Sequence, residues 1–298
     1  MQPLAACVRP QRMSTMAPIV DDSFARMALQ ADADVTVLLE HPALAAMLRH
    51  ARLSGRSHIT ASELLAEILA SVLLDGSSER VLDIWSGHHD RLRGHIEDAE
   101  HLLPQSQRFS GVAYLVVGYD IGVAAPPDII LNVGHERFRT APSELGFYAT
   151  HEAHHAGFMS LRAMPAMSDL NDACTLREVI AYMTQLEGLG VHAAYEPRCA
   201  ARALDADPDY LIYRDDDESD RVISRYAEIV AGVSGNGRLV DDEVGAVLSA
   251  LSAGERLWYR FGALVAWTLE RERGRAALVD SIVDPHAFGR VAERLLAR

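Results

Sequence analysis

The sequence predicts a mainly α protein with a small β-sheet, an α+β fold. Three observations point there. Apolar residues recur at helical spacing through 21–104 and again after Pro142. Between these stretches lie two short runs rich in β-branched and aliphatic residues, 112–117 and 128–133, each ending at a glycine, Gly118 and Gly134. Apolar residues make up 49% of the 298-residue chain, enough to pack one large domain or two modest ones.

Residues 1–20 read as a disordered leader. They hold scattered Arg and Pro with no continuous apolar stretch of the kind a signal peptide needs, and Met13 or Met16 can equally be the start. Phe24, Met27, Ala28, Ala31, Val35, Leu38 and Leu39 share one helical face, and that helix should stop just before Pro42. Pro42 suits the first turn of a second helix reaching about Ala51. Thr60 and Glu63 form a T-x-x-E capping box for a third, over 60–74. Residues 77–103 read as a longer helix bent near Gly87 and Gly94. The two strands follow, joined by a Gly- and Pro-containing connection. After Pro142 the helical pattern continues to the end, interrupted at 205–220. That acidic, turn-rich segment reads as a solvated loop, without the Gly and terminal Glu spacing of a calcium-binding EF-hand. The chain so divides into the leader, an N-terminal helical region at 21–104 and a metal-binding domain at 105–298.

A formal net charge of −14 and the lack of a basic stripe argue against nucleic acid or an anionic membrane surface as partner. No run approaches the roughly 20 apolar residues that span a bilayer. Cys7, Cys174 and Cys199 are odd in number, widely spaced and free of any CxxC, which favours a reducing compartment. A Cys174–Cys199 bridge is the one pairing left open. The combined reading is a soluble, cytoplasmic protein.

The chemistry concentrates at His151-Glu152-Ala153-His154-His155, an H-E-x-x-H pattern. On a helix, His151 and His155 lie about 40° apart around the axis, so both imidazoles can hold one metal ion from the same side. Glu152 then reaches a metal-bound water without ligating the metal. Pro142 and Glu144 suit the start of that helix. Phe147, Tyr148 and Phe158 fall within roughly 60° of His151, so the histidines share a buried, aromatic face, where unpartnered polar groups are costly. His154 points away from His155 and reads as structural or supporting.

A third ligand is expected from the helix predicted over 176–194. Glu187 projects from within its apolar stripe of Leu176, Val179, Ile180, Met183, Leu186 and Gly190, while Glu178 projects from the far side. A carboxylate on a buried face must be paired or bound to metal, which favours Glu187; Glu178 stays as the alternative. Gly188 and Gly190 would let this helix approach the histidine helix closely.

These residues resemble the gluzincin metallopeptidases, in which H-E-x-x-H is completed by a glutamate on a later helix, often in an E-G-[LF]-[AG] string. Glu187-Gly188-Leu189-Gly190 is similar to that string. His151 to Phe158 is similar to the H-E-x-H-H variant of bacterial families of zinc-dependent proteases of uncertain substrate, as is Tyr259-Arg-Phe-Gly-Ala263, followed by Glu270 and Gly274. The resemblance covers about residues 110–290. Glu178 lies at a separation from His155 nearer the thermolysin-like one. The resemblance implies a zincin-like core with an N-terminal helical region and a small sheet above the histidine helix, whose edge strand can hold an extended substrate by β-augmentation. Which strand is the edge stays open.

The expectation is a zinc-dependent hydrolase of a peptide or amide bond. His151, His155 and Glu187 would hold Zn2+, with iron, manganese or cobalt also compatible with such ligands. Glu152 would act as general base, and Tyr259, ahead of His192 and Tyr182, would stabilise the oxyanion. Two other classes stay open: a metal-dependent enzyme acting on a small metabolite, and a non-enzymatic helical protein that binds a partner.

Overall fold

Side-chain caps set where several of the helices begin. In the computed structural model, which describes residues 17–105, 107–233, 235 and 237–298, the chain opens with strand β1 (Ile19–Asp21) and helix α1 (Ser23–Ala28). Asp34 then accepts from the backbone N–H groups of Thr36 and Val37 and starts α2 (Val35–Glu40). The single helix expected over 24–39 is therefore two, because the Asp34 cap restarts the chain in a new direction. Pro42 occupies the first turn of α3 (Pro42–Leu53), and His41 Nδ1 accepts from Ala43 N–H at 3.1 Å. The Thr60–Glu63 capping box forms as expected at α4 (Ala61–Ser71). The next stretch bends at Gly87 into α5 (Ser77–Ser86) and α6 (His89–Ala99), whereas Gly94 sits inside α6 without breaking it.

Strands β2 (Val112–Val116) and β4 (Asp128–Asn132) fall where the sequence places them, and they pair in parallel. The connection between them holds a further strand, β3 (Gly122–Ala125), antiparallel to β4. The sheet order is β1-β2-β4-β3, so β1 and β3 are its edges. Ile19, at the end of the expected leader, pairs with Val112; the rest of that leader up to Met16, with Cys7, lies outside the described residues. The turn after β2 requires glycine: Gly118 has φ +73°, and a Cβ there would fall 2.3 Å from the Ile68 carbonyl oxygen.

Helices α7 (Glu136–Thr140) and α8 (Glu144–Leu161) lead to the long α9 (Ala173–Ala201), which overruns the predicted 176–194 at both ends. Asp172 caps α9 through Thr175 N–H at 2.8 Å. The segment 205–220 is not the solvated loop expected. Asp207 and Asp209 are buried, and Asp215 caps α10 (Asp216–Gly232) with Asp216, Asp217 and Glu218 in its positively polarised first turn. Helices α11 (Asp241–Ser249), α12 (Leu257–Arg273), α13 (Arg275–Asp280) and α14 (His286–Leu296) complete the chain. Among the described residues no helix is long and apolar enough to cross a membrane. Cys174 and Cys199 are free and exposed near opposite ends of α9, too far apart to bridge while that helix is intact.

Two hydrophobic cores meet at α8. Leu145, Ala149, Ala153 and Ala156 join the core made by α1–α6 and the sheet, while Phe147 and Phe158 join the core of α9–α14. The helices of 21–104 thus share one core with the sheet. Helix α8 is apolar on two sides because it is covered on two sides.

Helices α9 and α12 touch at glycine. A Cβ on Gly188 would lie 2.1 Å from Gly262 C, and one on Gly262 would lie 2.0 Å from Thr184 O. Backbone blocks both, so Gly262→Ala is expected to cost about 2–3 kcal/mol or more through overpacking. Urea unfolding followed by circular dichroism checks this; an unchanged midpoint would contradict so close a crossing.

Candidate metal centre

Helix α8 presents His151, Glu152 and His155, and α9 runs antiparallel beside it. At one end Arg198 donates to Glu144 at 2.9 and 2.8 Å; at the other Arg162 donates to Gln185 at 2.5 Å. Glu144 and Arg198 are both almost fully buried, so this bidentate pair pins the two helices in register. Gly190 makes room between them: a Cβ there would fall 2.6 Å from His155 Cε1 and 2.7 Å from His151 Cε1. Gly188 serves the α12 crossing instead, not the approach to the histidine helix expected of it.

The structure brings His151, His155 and Glu187 together. Glu187 Oε2 lies 3.2 Å from His151 Nε2 and 3.0 Å from His155 Nε2. Each residue offers one ligand atom, and all three atoms lie within 4.8 Å of one another. A tetrahedral zinc bound at about 2.0–2.1 Å would hold its ligand atoms about 3.3 Å apart, so the donors match zinc in type and spacing. Glu178 is exposed and outside this cluster.

Burial governs the charges here. It pushes His151 down to about 4, helped by the neighbouring His155. His155 meets the same burial, but the Glu187 charge and hydrogen bond outweigh it and raise its pKa. Burial would raise Glu187, yet the two imidazoles hold it well below the carboxylate range. For Glu152 burial, reinforced by the Glu187 charge, outweighs the attraction of His155 and the Ala124 backbone hydrogen bond and pushes it up to about 8. His155 Nδ1 has no hydrogen-bond partner among the described residues, so its protonation is governed from the Nε2 side.

These groups open onto a cavity of about 310 Å³. Gly122–Ala124 of the edge strand β3 form one wall, with Glu152 against Gly122: a Cβ there would lie 3.3 Å from Glu152 Oε1. Tyr259 lines the cavity and stacks on His151 with centroids 6.1 Å apart. Burial and the Glu187 charge raise the Tyr259 phenol well above its ordinary pKa. The other oxyanion candidates are committed elsewhere: His192 to Glu270 at 2.6 Å, and the Tyr182 hydroxyl to the Arg162 carbonyl at 2.9 Å. His154 is fully buried, with Nε2 facing the Leu102 carbonyl at 3.3 Å.

Sequence reasoning missed part of the cavity. Arg256 sits 3.7 Å over the Tyr259 ring and is held by the buried Asp209, with Nε 2.9 Å from Oδ2. The available signal was spacing: Arg256 and Tyr259 are three apart at a helix start. Nothing local in the sequence singled out Asp209 from its acidic neighbours.

The chain belongs to the DUF5700 family. A family model described as "Putative zinc dependent peptidase (DUF5700)" matches residues 43–291, from α3 into α14. No curated protein and no solved structure matches the chain.

Zinc titration followed by metal analysis tests the donor set. Glu187→Gln is expected to weaken zinc binding by at least about 100-fold, since loss even of an outer partner costs 10- to 100-fold. Glu178→Gln should bind like the wild type. Equal affinity in all three proteins would exclude Glu187 as a ligand.

Proposed function

We propose that this protein is a gluzincin-type zinc metallopeptidase that hydrolyses a peptide or amide bond. The observation that carries this reading is the convergence of His151, His155 and Glu187, with Glu152 adjacent, on a cavity walled by an edge strand. A zinc-dependent family membership supports it. His151, His155 and Glu187 would hold the ion. Zinc, when bound, lowers the pKa of water towards about 7 and polarises a carbonyl.

Glu152 takes the proton from the attacking water and passes it to the leaving nitrogen. Its burial keeps bulk water from competing, and the positive charge of a bound ion would favour its ionised form. Tyr259, whose phenol stays protonated, donates a hydrogen bond to the developing oxyanion. Among the described residues the outer edge of β3 has no strand partner, and its backbone can pair with an extended peptide laid across the cavity.

One observation favours a small amide metabolite instead. His50 and Leu53 of helix α3, with Ser54 just after it, add to the wall, which narrows the space. Assaying peptides against short acyl amides with the zinc-loaded protein separates the two substrates.

Glu152→Gln is expected to retain zinc in full while turnover falls by about 10²- to 10⁴-fold. Paired metal analysis and steady-state kinetics check this. Undiminished turnover would remove Glu152 from the base role.

A further inference from the structure

The cavity has two chemically different ends. Because α8 and α9 are antiparallel, the last turns of α8 and the first turns of α9 lie together. There Met159 and Met183, with Met164 and Met167 from the intervening loop, form an apolar, adaptable wall. At the opposite end, near Phe147 and Tyr148, the lining is ionic, with Arg198, Asp207, Asp209 and Arg256.

Most of that ionic wall is self-satisfied. Arg198 is taken up by Glu144, and Asp207 accepts from Arg137 at 2.7 Å. Arg256 differs. Asp209 accepts from its Nε at 3.1 and 2.9 Å and lies 2.8 Å from its Nη2, while Nη1 has no hydrogen-bond partner among the described residues. Its side chain is 35% exposed although Asp209 is 3% exposed, so the pair is anchored at the buried end and open towards the cavity. Arg256 also has φ +53°, a left-handed conformation that is strained for a non-glycine residue. Asp209 and the Tyr259 ring over-determine it there.

Resting on the peptidase reading, we infer that Arg256 is a specificity-determining residue that docks a substrate carboxylate, while the methionine wall receives a bulky apolar side chain across the scissile bond. An oriented guanidinium with one free donor edge suits a carboxylate, and Asp209 and Asp207 are already paired and do not repel it. The carboxylate is either an acidic side chain or the free end of a peptide.

The test uses the full zinc-loaded chain and a randomised synthetic peptide mixture, with cleavage sites read by mass spectrometry. Defined peptides then carry Glu or Gln at the selected position, each with a free or amidated C-terminus. Wild type should cleave the peptide that carries the recognised carboxylate, Glu against Gln or a free against an amidated C-terminus, about ten-fold or more faster in kcat/KM. Dependence on a free C-terminus identifies the chain end, and independence identifies the side chain. Arg256→Gln should abolish the preference. Since it strands Asp209, the Arg256→Gln/Asp209→Asn double variant repeats the test with both charges removed. Met183→Gln should weaken the apolar preference at the other side.

A wild type indifferent to the carboxylate, or a preference that survives in both Arg256 variants, would overturn the inference. Fluorescence anisotropy of labelled peptides on the Glu152→Gln protein keeps the two readings distinguishable. Tighter binding of the acidic peptide without any cleavage by wild type would sink the peptidase and leave the carboxylate subsite standing. No binding and no cleavage would sink both.

Discussion

One carboxylate oxygen, Glu187 Oε2, lies between two imidazole nitrogens in the seam between two hydrophobic cores. Three titratable groups buried in so small a volume are tolerated only when each satisfies the others or a cation satisfies all three. The surrounding architecture serves that constraint. Helix α8 is covered on both sides, which buries its histidines between the two cores. The Glu144–Arg198 pair fixes the register that brings Glu187 opposite them. Gly190 removes the side chain that would push the rings apart, and the Gly188–Gly262 crossing holds α9 from behind.

The same constraint separates the two buried glutamates of the site. Glu187 is hydrogen-bonded to both imidazoles and is held low, whereas for Glu152 burial outweighs the pull of His155 and pushes it up to about 8. Two buried carboxylates of one site thus shift in opposite directions by environment alone. That divergence suits one to hold a cation and the other to exchange a proton.

Much of this was legible in the sequence because it is periodic or local. Spacing of four places His151 and His155 on one face, and the apolar stripe of α9 distinguishes Glu187 from Glu178. The Thr60–Glu63 box and Pro42 fix helix starts within a few residues. What was not legible depends on partners far along the chain. Strand β3, Gly-Val-Ala-Ala, is too short and too small in its side chains to announce itself, and it exists because β4 offers it a ladder. Asp207 and Asp209 look like any acidic turn until Arg137, Arg198 and Arg256 arrive to bury them. The break before α2 is set by one aspartate cap that propensity alone would overrule.

X-ray absorption at the zinc edge of the zinc-loaded full chain tests the central claim most directly. His151, His155 and Glu187 predict two imidazoles with the remaining ligands oxygen, all at about 2.0–2.1 Å. A sulfur ligand near 2.3 Å, or an imidazole count other than two, would contradict it.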